Sequence, residues 1–248
     1  MAMNDFWTFF SFPLNLFSAL LWMLLWGWLH KSYPQNSLVR FLLSPFATIS
    51  SICLLILACL WIGFTGDRGF VESIFFVLVL LYVQTVLFLI TLRGYKPAGK
   101  PVRWRFLLLH AGLLLAVGAG FWGCPDSMEY RMKLQYDEVS REAFRLDGTK
   151  TSLSYDVELQ SLETEYSEDG RPIRYEAVLQ IDDNDPVTVC VNDPYPVRIG
   201  EDIYLASVSE NHCVLQIVRE PWRYFALVGI LMLLSGAFLL FINGPRKS

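Results

Sequence analysis

The sequence predicts an α-helical polytopic membrane protein with five transmembrane helices and a small all-β extracytoplasmic domain inserted before the last helix. Three observations carry this. Hydrophobic residues make up 54% of the chain, above the ~45–50% usual for a soluble domain. They fall in blocks rather than evenly, and a polar stretch of about a hundred residues separates the fourth block from the fifth. Charge follows the same division: residues 123–220 hold 21 acidic and 9 basic side chains, a net of −12, and the rest of the chain is net +8.

The apolar blocks run from Phe12 to Leu29, Phe41 to Phe64, Ser73 to Leu92, Phe106 to Trp122 and Trp222 to Ile242. A hydrocarbon core of ~30 Å needs ~20 helical residues, and each block is close to that length. The first block reads as an uncleaved anchor, because residues 1–12 contain no Lys or Arg to form the basic region of a signal peptide. Pro13 stands at its entrance, where proline is tolerated.

Orientation follows from the short loops. Arg93, Lys96, Lys100, Arg103 and Arg105 occur without an acid between blocks three and four, so this loop is expected in the cytoplasm. His30, Lys31 and Arg40, with Arg246 and Lys247, put the first loop and the C-terminus on the same side. The nearly neutral Gly66-Asp67-Arg68-Gly69 loop is expected outside. The predicted protein therefore lies multi-pass in the cytoplasmic (inner) membrane. Its N-terminus and acidic domain are outside, in the periplasm, and its C-terminus is cytoplasmic. Trp7, Trp28, Trp61, Trp104, Trp122 and Trp222 are placed near the interfaces. The organisation is residues 1–122, a four-helix transmembrane region; 123–220, the β domain; and 221–248, the last helix and tail.

Within the polar stretch, Leu153–Leu159 alternates apolar and polar residues with period two, and Tyr175–Ile181 does so less cleanly. Val187–Val191, Ile203–Val208 and Cys213–Val218 read as further strands. Turn signals separate them at residues 168–172, 182–186 and 209–212. A small antiparallel sandwich or barrel follows. Residues 137–144 fit a short helix or a strand equally.

No Ser-His-Asp arrangement, phosphate loop, CxxC or zinc spacing is evident, and the acidic domain is no nucleic-acid surface. Its charge would serve either solubility or the steering of a basic partner. Cys190 and Cys213 lie in strands that could be neighbours, leaving open a disulfide or two small core thiols. Cys53 and Cys59 are expected only to pack.

His110 is the prominent candidate. It lies in an otherwise apolar helix, ~7 Å past Arg105, where an imidazole forgoes water. Two readings stand: hydrogen bonding to a neighbouring helix, with Gln84 the candidate partner, or ligation of a metal or haem iron. Gly112, Gly118 and Gly120 permit close approach of another helix or a flat ligand. His30 at a loop edge and His212 in a predicted turn are weaker ligand candidates.

Several pieces in order carry a resemblance. They are His110-Ala111-Gly112-Leu113-Leu114-Leu115 running to Gly118-Ala119-Gly120; Leu153–Leu159 to Glu165-Tyr166; Gly170-Arg171-Pro172 to Tyr175-Glu176-Ala177-Val178; Val191-Asn192-Asp193-Pro194 with Gly200-Glu201-Asp202-Ile203-Tyr204; and Val218-Arg219-Glu220-Pro221 leading into the last helix. Together they resemble the ResB/CcsB family of cytochrome c biogenesis proteins, one part of the system II cytochrome c synthase. The resemblance implies a subunit of a haem export and synthase complex, with a CcsA/ResC-type membrane partner. Haem b would be the transported substrate, and His110 one axial ligand of its iron. The product would be haem joined to the CXXCH thiols of apocytochrome c. The family pattern has three helices before its outer domain, whereas four are predicted here. The tryptophan-rich motif and outer histidines of the partner are missing from this chain, so no catalytic residue is assigned and the ligation chemistry is expected on the partner. The rival reading is a cofactor-free, membrane-anchored assembly or scaffold module docking an extracytoplasmic partner.

Overall fold

A computed structural model describes residues 11–66, 70, 73–94, 102–136, 138–166, 169, 172–209 and 211–243. It divides into two compact units. One joins the helices on either side of the polar stretch, and the other is residues 125–221.

The helical unit contains α1 (Leu14–Ser32), the short α2 (Ser37–Leu42), α3 (Pro45–Thr65), α4 (Ile74–Gly94), α5 (Trp104–Gly123) and α6 (Arg223–Asn243). Local chemistry sets several ends. The Asn36 side chain accepts from Leu38 N and starts α2. Ser44 caps α3 with Pro45 in its first turn, and Gly66 stops it in the left-handed region at φ 65°.

Helices α3, α4, α5 and α6 are long and apolar enough to cross a membrane. The expected fifth segment is present as α1, but Asn15 at one end and His30 and Lys31 at the other shorten its apolar run. The most buried of the four is α4, 44% of its apolar window lying inside the bundle. It packs on the end of α2 and the start of α3 through Leu42, Ala47, Val86 and Leu89, and on α3 through Ala58, Phe76 and Leu80, where Phe121 of α5 joins. The outward side chains are large and apolar, among them Phe64 and Phe241, both 87% exposed. A surface of that kind needs lipid rather than water around it.

The tightest pairing is α5 with α6. A Cβ added at Gly229 would lie 2.7 Å from Ala116 N, and one at Gly112 would lie 2.8 Å from Gly229 O. Gly236 receives Leu109 in the same seam. Small residues let the two backbones touch, so dispersion replaces the hydrophobic effect that lipid cannot supply. Of the three glycines singled out in the sequence, only Gly112 works in this way. Gly118 and Gly120 have nothing within 4 Å of an added Cβ.

The β unit has eight strands: β1 (Met128–Gln135), β2 (Val139–Arg145), β3 (Lys150–Tyr166), β4 (Pro172–Ile181), β5 (Val187–Cys190), β6 (Tyr195–Arg198), β7 (Glu201–Ser209) and β8 (His212–Arg219). They form one antiparallel sheet in the order β5-β4-β3-β2-β1-β8-β7-β6. Of the two alternatives the sequence left open, a sandwich of two sheets is not what forms: the strands make one sheet, and a larger one than expected. Its two edge strands are consecutive in sequence, with only residues 191–194 between them. Four linking residues span at most ~17 Å, whereas a flat eight-stranded sheet is ~34 Å across at ~4.8 Å per strand. The sheet must therefore curl on itself. A single core results, built from Met132, Leu134, Val157, Leu159, Leu179, Val189, Ile203, Leu215 and Ile217, each 2% exposed or less.

Residues 139–145 settle as strand β2, paired with β1 and β3. His212 opens β8 opposite Gln135 and Ser209 rather than lying in a turn. Cys190 is on the edge strand β5 and Cys213 on β8, with four strands between them in the sheet order, and both are free thiols. The disulfide alternative is thereby set aside. The residues invoked at Trp7, 67–69, 96, 100, 137, 168, 170–171, 210 and 246–247 lie outside the described ones.

Candidate functional site

Helix α5 places His110 six residues from its start, ~9 Å along the axis. At 100° per residue, Phe106, Val117 and Phe121 share its face, while Leu109, Gly112 and Ala116 lie on the face that meets α6. His110 is thus turned away from α6. The side it occupies is that of α4: Phe121 packs against Phe76 and Leu80, and the Phe106 ring fills the space beside Gly94.

The imidazole is half-buried, and two contacts with Phe106 hold it. Their rings stack with centroids 3.8 Å apart and planes 21° from parallel. Nδ1 lies 2.9 Å from Phe106 O, one helical turn back. A carbonyl oxygen only accepts, so Nδ1 must carry the hydrogen. In that tautomer the lone pair is on Nε2. A backbone carbonyl fixing one nitrogen and thereby the tautomer is the outer-shell arrangement that metal-ligating histidines use.

The alternative partner, Gln84, is not bonded to His110. Its Oε1 accepts from Trp122 Nε1 at 2.8 Å, and Asn15 Nδ2 donates to Trp122 O at 2.6 Å. The reason is depth: Trp122 lies twelve residues, ~18 Å, further along α5 than His110. Trp22 Nε1 donates to Thr85 Oγ1 beside this group. Asn15, Gln84 and Thr85 are 5% exposed or less, so the bundle holds a buried polar network that the sequence reading did not anticipate. It also draws Trp122 inward, while Trp222 is buried at 7% exposure against Gly123; Trp28, Trp61 and Trp104 are exposed at helix ends. The polar residues Asn15, Gln84 and Thr85, conspicuous in apolar helices, were the available signal.

The fit to haem can be tested on the donor set. An axial position asks for one imidazole nitrogen with its lone pair free, and with Nδ1 on Phe106 O the nitrogen of His110 left for that is Nε2. Among the described residues no group of three or more His, Cys, Asp or Glu could hold a metal ion, so no three-ligand metal site is formed around His110. His30, at the end of α1, has Nδ1 buried without a partner. It lines a groove of about 630 Å³ between α1 and α4 with Leu20, Met23, Leu24, Gly27 and Phe88.

In the β unit, the buried Glu201 accepts from Tyr155 OH at 2.7 Å and lies 3.5 Å from Arg198 Nε. Arg198 also covers the Tyr155 ring. Burial and then the Glu201 carboxylate push the Tyr155 phenol well above its ordinary value. Burial likewise raises the Cys213 thiol to about 11. These groups sit within the sheet and hold it together; nothing marks them as a reaction centre.

No protein-family model matches this chain, and no curated protein does. Among solved structures it is similar to a chain described as Cytochrome c Heme Lyase CcmF. Sequence identity is 14% and the TM-score 0.46, over 77% of this chain and 33% of that one. The chain therefore spans about a third of that protein's length. The likeness is too coarse to carry any residue's role across.

Proposed function

We propose that this chain is a membrane subunit of a cytochrome c synthase and haem export complex, of the ResB/CcsB kind. In this reading haem b is its transported substrate, and His110 Nε2 provides one axial ligand to the iron. A CcsA/ResC-type partner supplies the other ligand and the ligation chemistry, and apocytochrome c receives the haem outside. The observation that carries the reading is the Nδ1 contact to Phe106 O, which leaves Nε2 as the lone-pair nitrogen in an apolar helix.

The topology belongs to the same proposal. All five long helices cross the inner membrane, with the N-terminus and the β unit in the periplasm. Lys31, Arg40, Arg93, Arg103 and Arg105 gather at one end of the helices, and Arg93 Nη1 donates to Leu43 O there. Among the described residues the helical unit has no Asp or Glu at all, which supports that end as the cytoplasmic one.

The test is the visible spectrum of the chain purified with such a partner, wild type beside His110→Ala. A Soret band lost in the variant and restored by added imidazole is expected. A band that ignores the substitution would move the haem to the partner and leave this chain a cofactor-free scaffold.

A further inference from the structure

The groove between α1 and α4 has features the haem reading does not use. It runs from Leu20 to Lys31, eleven residues or ~16 Å along α1. Its lining is apolar along the length and polar at one end, where His30 stands beside the Lys31 cation. Gly27 keeps the floor low: an added Cβ would only just touch the Phe88 ring, at 3.8 Å. Leu20, Leu24 and Trp28 are 47, 70 and 54% exposed, so the groove opens on the outer surface of the bundle. In a membrane that surface faces acyl chains.

The cationic end lacks a counter-charge. No Asp or Glu occurs among the described residues of the helical unit, so Lys31 has no acidic partner there. His30 Nδ1 is buried without a hydrogen bond. Trp28 and Tyr33 meet edge to face, with centroids 5.5 Å apart, at the same level. An aromatic pair beside a lysine marks the depth of lipid headgroups.

We propose that this groove is a binding site for an anionic phospholipid. One acyl chain lies along Leu20, Met23, Leu24, Gly27 and Phe88, and the headgroup phosphate sits on Lys31 beside His30. The dimensions agree: ~16 Å is about half of a ~30 Å hydrocarbon core, the reach of a chain in one leaflet. The charge agrees too, since an anionic headgroup would supply the counter-charge that the described residues of the helical unit do not. The site does not depend on haem at His110.

The experiment is native mass spectrometry of the full chain in mild detergent, titrated with phosphatidylglycerol or with phosphatidylcholine of matched chains. Phosphatidylglycerol should bind preferentially. Lys31→Ala, or Lys31→Gln if the first is poorly produced, should weaken it about fivefold, the effect of one cation at an anionic surface. Gly27→Leu should weaken it as well while keeping every charge, because the added side chain fills the groove. Equal retention of both lipids would overturn the proposal. So would indifference to Gly27→Leu, which would reduce the effect to the general charge of that end. Full competition by inorganic phosphate would leave an anion site without a chain, and displacement of the lipid by haem would give the groove to a tetrapyrrole.

Discussion

The two units of this protein are inverted with respect to each other. In the helical unit many large apolar side chains, Leu, Ile, Phe and Trp, are exposed, while Asn15, Ser51, Gln84, Thr85 and Thr91 are buried. In the β unit Met132, Leu134, Leu179, Leu215 and Ile217 are fully buried, and the ion pairs Lys150–Glu142, Arg174–Glu176 and Arg141–Asp156 lie at the surface. One rule produces both patterns: each group goes where its surroundings match it. In hydrocarbon a polar group gains by finding a protein partner inside, and an apolar one loses nothing by facing out. In water the preference reverses. The forces holding each unit differ accordingly, close backbone contact in one and apolar burial in the other.

The sharpest way to break this contrast is at the α5–α6 seam. Gly229→Leu drives a side chain into the backbone of Ala116 and should cost more than about 3 kcal/mol, since neither helix can move aside without losing the pairing. Thermal inactivation in detergent should show it, with Gly118→Leu as a control that leaves stability unchanged. If both variants melt like the wild type, close packing is not what joins the helices.

Next in size is the β core. Leu215→Ala leaves a cavity at a fully buried position and should cost about 2–5 kcal/mol. Limited proteolysis of the full chain should then cut within residues 125–221 while the helices stay resistant. Simultaneous loss of both units would show that their stabilities are coupled.

A smaller effect is expected from the buried polar network. In a double-mutant cycle, Gln84→Leu and Trp122→Phe should be coupled by about 0.6 kcal/mol, the usual worth of a side-chain hydrogen bond between membrane helices. Zero coupling would mean the pair is replaced by other partners.

The β unit should also carry a pH signature. The Tyr155 phenol is raised in the folded state, so its stabilising contribution is present below the ordinary value of 10.0 and is lost as pH rises past it. Asp156 and Asp147 are lowered, by Arg141 and by the Thr149 backbone N–H, so theirs is present above the ordinary carboxylate value and is lost as pH falls. Chemical denaturation across pH should show a plateau between these limits, and Tyr155→Phe should flatten its alkaline edge. Cys213, raised to about 11, should resist iodoacetamide at pH 8 until the unit unfolds.

Much of this architecture was readable as pattern. Strands β3, β4, β5, β7 and β8 announced themselves by alternation, and β1 did so as well: Tyr130, Met132 and Leu134 are buried while Arg131, Lys133 and Gln135 are exposed. That strand went unread although its signal was present. Strand β2 was ambiguous, because Ser140, Arg141 and Glu142 interrupt its apolar positions and a bulge shifts its register against β3. Its state comes from having β1 and β3 on either side. His110 was conspicuous for the same reason as the helices, a polar group within an apolar run, and nothing in that run specified its tautomer.

What the sequence determined by itself is the polarity of each segment, because hydropathy and charge are sums over nearby residues and need no partner. That is enough to separate helices apolar enough to cross a membrane from a polar β unit, and to mark His110 and Gln84 as conspicuous in their apolar runs. What the tertiary structure decided is every relation between distant residues. Strand order put four strands between Cys190 and Cys213. Helix depth separated His110 from Gln84, and the facing of α5 chose Gly112 over Gly118 for the seam with Gly229. A glycine is equally small at all three positions, and a cysteine equally able to form a bond. Only the fold brings one of them to its partner and leaves the other in open space.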